Sequence, residues 1–263
     1  MLKLKTTTKN SKLLSVVIIA RDEEKMIGGC VEFVGWADEV LVVDTGSVDK
    51  TVDIAKKYKV RVVKYTKGKH YSDWRNKGRV EAKGKWILYI DADERVTPAL
   101  RQEIVKLLNG SIVEYSCFAI PRKNIVLGKE LKHGGFYPDY QKRLFKKRAL
   151  KRWTGEVHEE PEFEGELGHL KNPLIHLKHE TLSEMVEKTN KWSATEAKLM
   201  LNAKHPPMNI PRFISAMARE FWERMIVKRA FLDGRVGVIF AIYQVFSRFV
   251  SYAKLWELQT KIK

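Results

Sequence analysis

The stretch Trp86-Ile87-Leu88-Tyr89-Ile90-Asp91-Ala92-Asp93-Glu94 decides the fold. Its apolar half, preceded by Gly84, reads as a buried strand, and its acidic half reads as the turn that ends it. A strand closing on two carboxylates one residue apart sets hard oxygen ligands at a sheet's carboxyl edge, where open α/β sheets bind their ligands. Such oxygen pairs take Mg²⁺ or Mn²⁺, and substrate phosphates usually complete the shell. Alone, Asp-x-Asp describes a solvated acidic turn equally well. The segments around it give it weight.

Upstream, Leu13 to Ala20 is rich in Val and Ile, the composition of a central parallel strand. Glu23 to Val34 has helical spacing. Val40 to Val43 forms a second strand that ends at Asp44, and Thr45-Gly46-Ser47 forms a turn. Asp49 to Tyr58 is a short helix and Arg61 to Lys64 a third strand. Ser72 is placed to cap a helix running to Lys83, with Gly84 just past its end. Thr97-Pro98 opens another helix, with Thr as N-cap and Pro at the first helical position. The alternation predicts an α/β fold with a doubly wound, mostly parallel sheet. Downstream, Ser116 to Pro121 and Tyr140 to Phe145 read as strands flanking the Gly-, His- and aromatic-rich Gly128 to Pro138, an antiparallel extension. The last eighty residues are helical. Thr181-x-x-Glu184 is a capping box, Pro206-Pro207 is a break, and Asp233-Gly234 is a turn between the final helices.

A hydrophobic content of 44% excludes global disorder. The net charge of +17 calls for a polyanionic partner: nucleic acid, an anionic membrane surface or phosphorylated substrates. Arg122 to Arg152 carries eleven basic and two acidic residues, and Lys178 to Lys263 fifteen and eight, so the surplus lies away from the carboxylate pair. No aromatic base-reading platform and no nucleic-acid-binding motif accompanies the charge, which disfavours a nucleic-acid module. Cys30 and Cys117 sit in apolar segments without metal-ligand spacing and read as reduced core residues. Met1 to Lys12 has no apolar core, so no secretory signal is expected. No run of about 18 apolar residues is present, so no bilayer span is expected either.

Several pieces, in order, resemble family 2 glycosyltransferases. Ser15-Val16-Val17-Ile18-Ile19-Ala20-Arg21-Asp22-Glu23-Glu24 resembles the family's first strand and nucleotide-binding loop, and Val43-Asp44-Thr45-Gly46-Ser47-Val48-Asp49-Lys50-Thr51 its second. Asp91-Ala92-Asp93-Glu94 is similar to its metal-binding Asp-x-Asp. Within the family, the chain most resembles the lipopolysaccharide core β-1,4-glucosyltransferase subgroup. That likeness rests on Ile120-Pro121-Arg122-Lys123-Asn124, His133 to Asp139, Arg143-Leu144-Phe145, Val157-His158-Glu159, Phe231 to Gly234 and Lys254 to Glu257. Subgroup members commonly carry Gln-Lys-Asn near the start of the third helix. Here Arg75-Asn76 takes that place.

The resemblance implies a GT-A fold followed by C-terminal amphipathic helices. The expected organisation is a basic tail over 1–12, a catalytic domain over 13–177 and a membrane-associating helical region over 178–263. Within the catalytic domain, 13–108 is the nucleotide-sugar half and 109–177 the acceptor half. The implied reaction is an inverting, metal-dependent transfer of a hexose from a UDP-sugar, with glucose the first candidate. The acceptor is a lipopolysaccharide-core or other lipid-linked glycan; a protein or peptide acceptor is the alternative. Ala20, Arg21, Glu23, Asp44, Arg75 and Asp91 are expected to bind the donor. Asp93, with Asp91, would hold Mg²⁺ or Mn²⁺. An acceptor hydroxyl needs a general base within hydrogen-bond reach. Glu159 is the choice, Asp139 and Glu160 are alternatives, and His158 would orient the base or bind a phosphate. No His-Glu-x-x-His is present, so a zinc peptidase site is unsupported. The basic run from Arg122 to Arg152 would hold acceptor phosphates. Arg212, Arg219, Arg224, Lys228 and Arg229 interleave with Phe213, Phe221, Trp222, Met225 and Phe231, a pattern suited to an anionic headgroup layer or to packing on the catalytic domain. The expected location is cytoplasmic, peripheral on the inner face of the plasma membrane.

Overall fold

The computed structural model describes residues 13–110, 114–156 and 159–261. The tail over 1–12 and His158 lie outside the described residues. Along the chain run β1 (Leu14–Ala20), α1 (Ile27–Val34), β2 (Glu39–Asp44), α2 (Thr51–Lys57), β3 (Arg61–Lys64), α3 (Tyr71–Glu81), β4 (Trp86–Asp91), β5 (Glu94–Val96) and α4 (Pro98–Asn109). Then come β6 (Cys117–Val126), β7 (Lys129–Leu131), β8 (Asp139–Lys146), β9 (Leu150–Thr154), β10 (Glu160–Phe163), β11 (Leu167–His169) and β12 (Leu174–His179). Helices α5 (Leu182–Asn202) and α6 (Ile210–Phe221) follow, a π-turn over Trp222–Val227, a 3₁₀ turn over Ala230–Asp233, and α7 (Gly234–Lys261).

The main sheet runs in the order β3-β2-β1-β4-β8-β6-β12-β5, with β11 and β7 also on β6. Strands β3, β2, β1 and β4 pair in parallel, whereas β8 joins β4 and β12 joins β5 antiparallel. This is the doubly wound α/β sheet with antiparallel extension that the sequence predicts. All of β1 is buried, and alternation divides it between two cores. Val16 and Ile18 face Ile27, Leu88 and Ile104 on one side. Val17 and Ile19 face Ile87, Tyr89 and Trp153 on the other.

The structure corrects two helix starts. Helix α1 begins at Ile27 rather than Glu23. The second loop takes the backbone N–H groups before it: Asp22 donates to Ser47 Oγ (3.1 Å), Glu23 to Thr51 Oγ1 (2.7 Å) and Glu24 to Asp49 Oδ2 (2.9 Å). Asp22 also has φ of 55°, which a helix cannot hold. Helix α3 is capped at His70, not Ser72, because Asp73 accepts from the Lys69 and His70 N–H groups at 2.8 and 3.2 Å. Thr97 caps α4 as expected, accepting from Leu100 N at 3.2 Å.

The chain divides into two units: residues 1–122 with 140–176, and residues 123–139 with 177–263. The segment 123–139, expected in the acceptor half of the catalytic domain, therefore groups with the C-terminal helices. In the second unit α7 packs against α5. Phe240 lies with Met185, and Leu255 with Ala197. Asp233 is buried and accepts from the Lys132 and His133 N–H groups and pairs with His133 Nδ1, which ties the 123–139 segment to the start of α7. The stretch Ala230–Thr260 is long and apolar enough, by length and composition, to cross a membrane. The sequence expectation of no span asked for an unbroken apolar run, and sparse charges within a long apolar helix escape that criterion.

His179, beside the rings of Phe240 and Tyr243, has its pKa pushed down to about 4 by burial and by the Lys188 and Lys178 cations, against the pull of Glu184. The folded unit therefore refuses a proton that the unfolded chain accepts near pH 6.5. Its contribution is complete above that pH and is lost as pH falls from about 6.5 through about 4. Urea midpoints measured across this window fall in the wild type, and His179→Gln reduces the fall; equal slopes would contradict this.

Candidate active site

Parallel pairing brings three strand ends to one edge. Ala20 is in register with Asp44, and Ile19 with Asp91. Asp44 is 1% exposed, its Oδ1 accepts from Ser47 N at 3.0 Å, and Thr45 N donates to the Ala20 carbonyl at 3.0 Å. Arg21 and Glu23 continue from Ala20 into the loop that the second loop caps. The Arg21 guanidinium is exposed and lies 3.8 Å from Asp22.

Asp91 is the centre of a charged network. Its Oδ1 accepts from Arg75 Nη2 at 3.1 Å, and its Oδ2 accepts from Arg143 Nη2. Burial opposes its charge, but the guanidiniums of Arg143 and Arg75 overcome that, holding the carboxyl far below the usual carboxylate range. Glu94, fully buried, accepts from Arg143 Nη2 at 2.7 Å and Arg122 Nη1 at 3.3 Å. It also caps the turn by accepting from Asp91 N at 3.0 Å. Burial alone would lower the pKa of Arg143; Asp91 and Glu94 reverse this and fix the charge.

Arg75 joins this network to a second carboxylate. Its Nε donates to Glu159 Oε1 at 3.0 Å. The guanidinium stacks over Trp153 at 4.9 Å and Tyr89 at 5.6 Å. Asn76 fixes the middle of α3 by exchanging two hydrogen bonds with the main chain of Trp153, at 2.9 and 2.8 Å. Tyr89 Oη donates to the Arg75 carbonyl at 3.1 Å. Among the described residues, Arg75 Nη1 and Arg143 Nε are buried without a hydrogen-bond partner. A cleft of about 280 Å³ opens here, bounded by Arg75, Asp91, Arg122, Arg143, Trp153 and Glu159.

Asp93 stands apart from the guanidiniums. Its Oδ2 lies 3.4 Å from His176 Nε2. Pairing of β12 with β5 sets His176 opposite Glu94, which delivers the imidazole to the Asp-x-Asp turn. Sequence reasoning missed His176, Arg143 and the role of Glu94. The one available signal was the position of His176 in the apolar strand pattern Leu174-Ile175-His176-Leu177. Of the other candidates, Glu160 is exposed and pairs with Lys142 Nζ at 2.7 Å. Asp139 belongs to the second unit, where Asn124 Nδ2 donates to it at 3.2 Å. Among the described residues, no group of three or more His, Cys, Asp or Glu side chains forms a metal cage.

The sequence profile of glycosyl transferase family 2 matches residues 15–163. An uncharacterized glycosyltransferase of Rickettsia bellii is 28% identical over 94% of this chain and 87% of its own length. The lipopolysaccharide core biosynthesis glycosyltransferase LpsC of Rhizobium meliloti is 28% identical over 70% of both chains. Among solved structures, S. aureus TarS 1–349 in complex with UDP aligns over 95% of this chain and 92% of that one, at 14% identity and a TM-score of 0.49.

Removing one partner from a buried ion network leaves an uncompensated charge. Arg143→Met strips Glu94 and Asp91 of their shared cation and is expected to cost about 3–5 kcal/mol of stability. Urea unfolding checks this, and a loss below about 1 kcal/mol, the range of an exposed pair, would show the network to be solvated.

Proposed function

The chain belongs to glycosyl transferase family 2, and from that premise we propose that it transfers a hexose, glucose first, from a UDP-sugar to a lipopolysaccharide-core or other lipid-linked glycan, with inversion. The observation that carries this reading is the Arg75 bridge, one guanidinium spanning Asp91 on the donor edge and Glu159 across the cleft. The name of the Rhizobium relative, a lipopolysaccharide core enzyme, supports the acceptor class.

In this reading Asp44 accepts hydrogen bonds from the uracil or ribose, beside Ala20, Arg21 and Glu23. Asp91, held charged, takes the ribose hydroxyls. The unpaired Nη1 of Arg75 would turn to a diphosphate oxygen, a charge-assisted contact that would draw the donor toward Glu159. The donor set fits a divalent cation. Both oxygens of Asp91 are engaged by arginines, so Asp93 and His176 would be the protein ligands, and the diphosphate would supply the rest. Asp93 and His176 would hold Mg²⁺ or Mn²⁺ there, and the ion would supply Lewis-acid stabilisation of charge developing on the leaving diphosphate. Glu159 accepts the proton of the acceptor hydroxyl. The hydroxyl oxygen bonds to the anomeric carbon from the face opposite the departing UDP, and the sugar–phosphate bond breaks with its electron pair on UDP. Tyr89 and Trp153 hold Arg75, and Arg75 orients Glu159 for this step.

The second unit exposes Ile210, Ile214, Trp222 and Val227 close in sequence to Arg212, Arg219, Lys228 and Arg229. An apolar surface with basic neighbours suits an anionic headgroup layer, at about 1 kcal/mol per basic residue. The protein would then work at the inner face of the plasma membrane, beside a lipid-borne acceptor.

Glu159→Gln keeps the shape and removes the base. With labelled UDP-glucose and lipid-linked acceptor, its transfer rate should fall by about 10²-fold or more while UDP affinity is kept. A variant that turns over normally would eliminate Glu159 as base, and label passing only to protein would eliminate the lipid acceptor. Flotation should be stronger with anionic than with zwitterionic vesicles; equal flotation would remove the electrostatic contact.

A further inference from the structure

At the opposite end of β4 lies a second cleft, of about 850 Å³, lined by Arg79, Val80, Lys83, Gly84, Lys85, Trp86, Lys146, Lys147 and Arg148. Six of these nine residues are basic and none is acidic. Trp86 begins β4 and is in register with Lys146, whereas Asp91 ends the strand. At ~3.3 Å per residue the two clefts are about 17 Å apart along the strand. The basic run expected to serve acceptor phosphates is thus divided. Arg122, Lys142 and Arg143 line the cleft at Asp91, and Lys146, Lys147 and Arg148 line this one.

Local structure accounts for part of the cluster. Arg79 Nε donates to the Leu150 carbonyl, Lys147 Nζ donates to the Ala82 carbonyl just beyond α3, and Lys146 Nζ lies 5.6 Å from the centre of the Trp86 ring. Cations near a helix C-terminus also suit its dipole. Lys83, Lys85 and Arg148 remain. They are exposed, and among the described residues none makes an ion pair. Like charges gathered in a concave setting repel one another and focus a positive potential. A bound polyanion relieves both effects. The volume suits a small ligand or a headgroup.

We propose that this cleft is a second anion site, which holds a molecule bearing two or more phosphate groups away from the Asp91 edge. The pinned Arg79, Lys146 and Lys147 form its floor, and Lys83, Lys85 and Arg148 close over the outer phosphates. The chemistry is the same for a lipid headgroup and for a free sugar phosphate.

The test titrates full-length protein with inorganic tripolyphosphate by calorimetry, with excess UDP present to fill the other edge and no divalent ion, which tripolyphosphate would chelate. Wild type should bind with a steep salt dependence. The pair Lys85→Glu with Arg148→Glu should weaken binding by at least about tenfold, or ~1.4 kcal/mol, while leaving UDP affinity unchanged. Vesicles with and without phosphatidylglycerol then assign the source. Loss of flotation in the double variant points to a headgroup, and unchanged flotation points to a free phosphate ester. No tripolyphosphate binding, equal binding by the double variant, or binding only of single-stranded RNA would overturn the proposal. Because the UDP arm is read separately, failure here leaves the donor site unaffected, and failure there leaves this site unaffected.

Discussion

A half-buried carboxylate kept charged by two arginines holds the candidate active-site edge together. Asp91 would be costly to bury alone, and Arg75 and Arg143 make its ionised form the stable one. The same two cations reach onward, Arg75 to Glu159 and Arg143 to Glu94. A helix, the three strands β4, β5 and β8, and the loop carrying Glu159 thus meet at one set of charges. Replacing any member by an apolar residue leaves its neighbours charged without partners, so the network must be kept or lost as a unit.

The aromatic floor makes this arrangement specific. Trp153 and Tyr89 present ring faces to Arg75, and Asn76 locks α3 onto the main chain of Trp153. Gly78, one turn further along α3, permits the close approach; a Cβ there would lie 2.4 Å from Val17 Cγ1. A lysine in place of Arg75 would keep the charge but lose the planar fork that serves two carboxylates at once. The resembling subgroup's Gln-Lys-Asn and this chain's Arg75-Asn76 therefore differ in geometry as well as in size.

Much of this was legible in the sequence, because local patterns have local causes. The unbroken apolar run from Leu13 to Ala20 and the run into Asp91 pointed to the parallel sheet, and Thr97-Pro98 to a helix start. Asp44, Asp91 and Ala20 could be placed at one edge because parallel register puts strand ends together. What failed was long-range. His176 is brought to Asp93 by the pairing of β12 with β5, across more than eighty residues with no spacing rule. Arg143 looked like one more member of a basic run until the fold buried it. Helix α1 was read too long because side chains of the second loop, not of the helix itself, satisfy the N–H groups of Asp22 to Glu24.

In the proposed function this edge grips a nucleoside diphosphate through arginine and a cation together. Calorimetry of UDP with chelator-treated protein, with and without Mn²⁺, addresses it most directly. Mn²⁺ should strengthen UDP binding by at least about tenfold, ~1.4 kcal/mol, and Asp93→Asn or His176→Ala should abolish that gain without unfolding the chain. Equal UDP affinity with and without the ion, unaltered by either substitution, would contradict it.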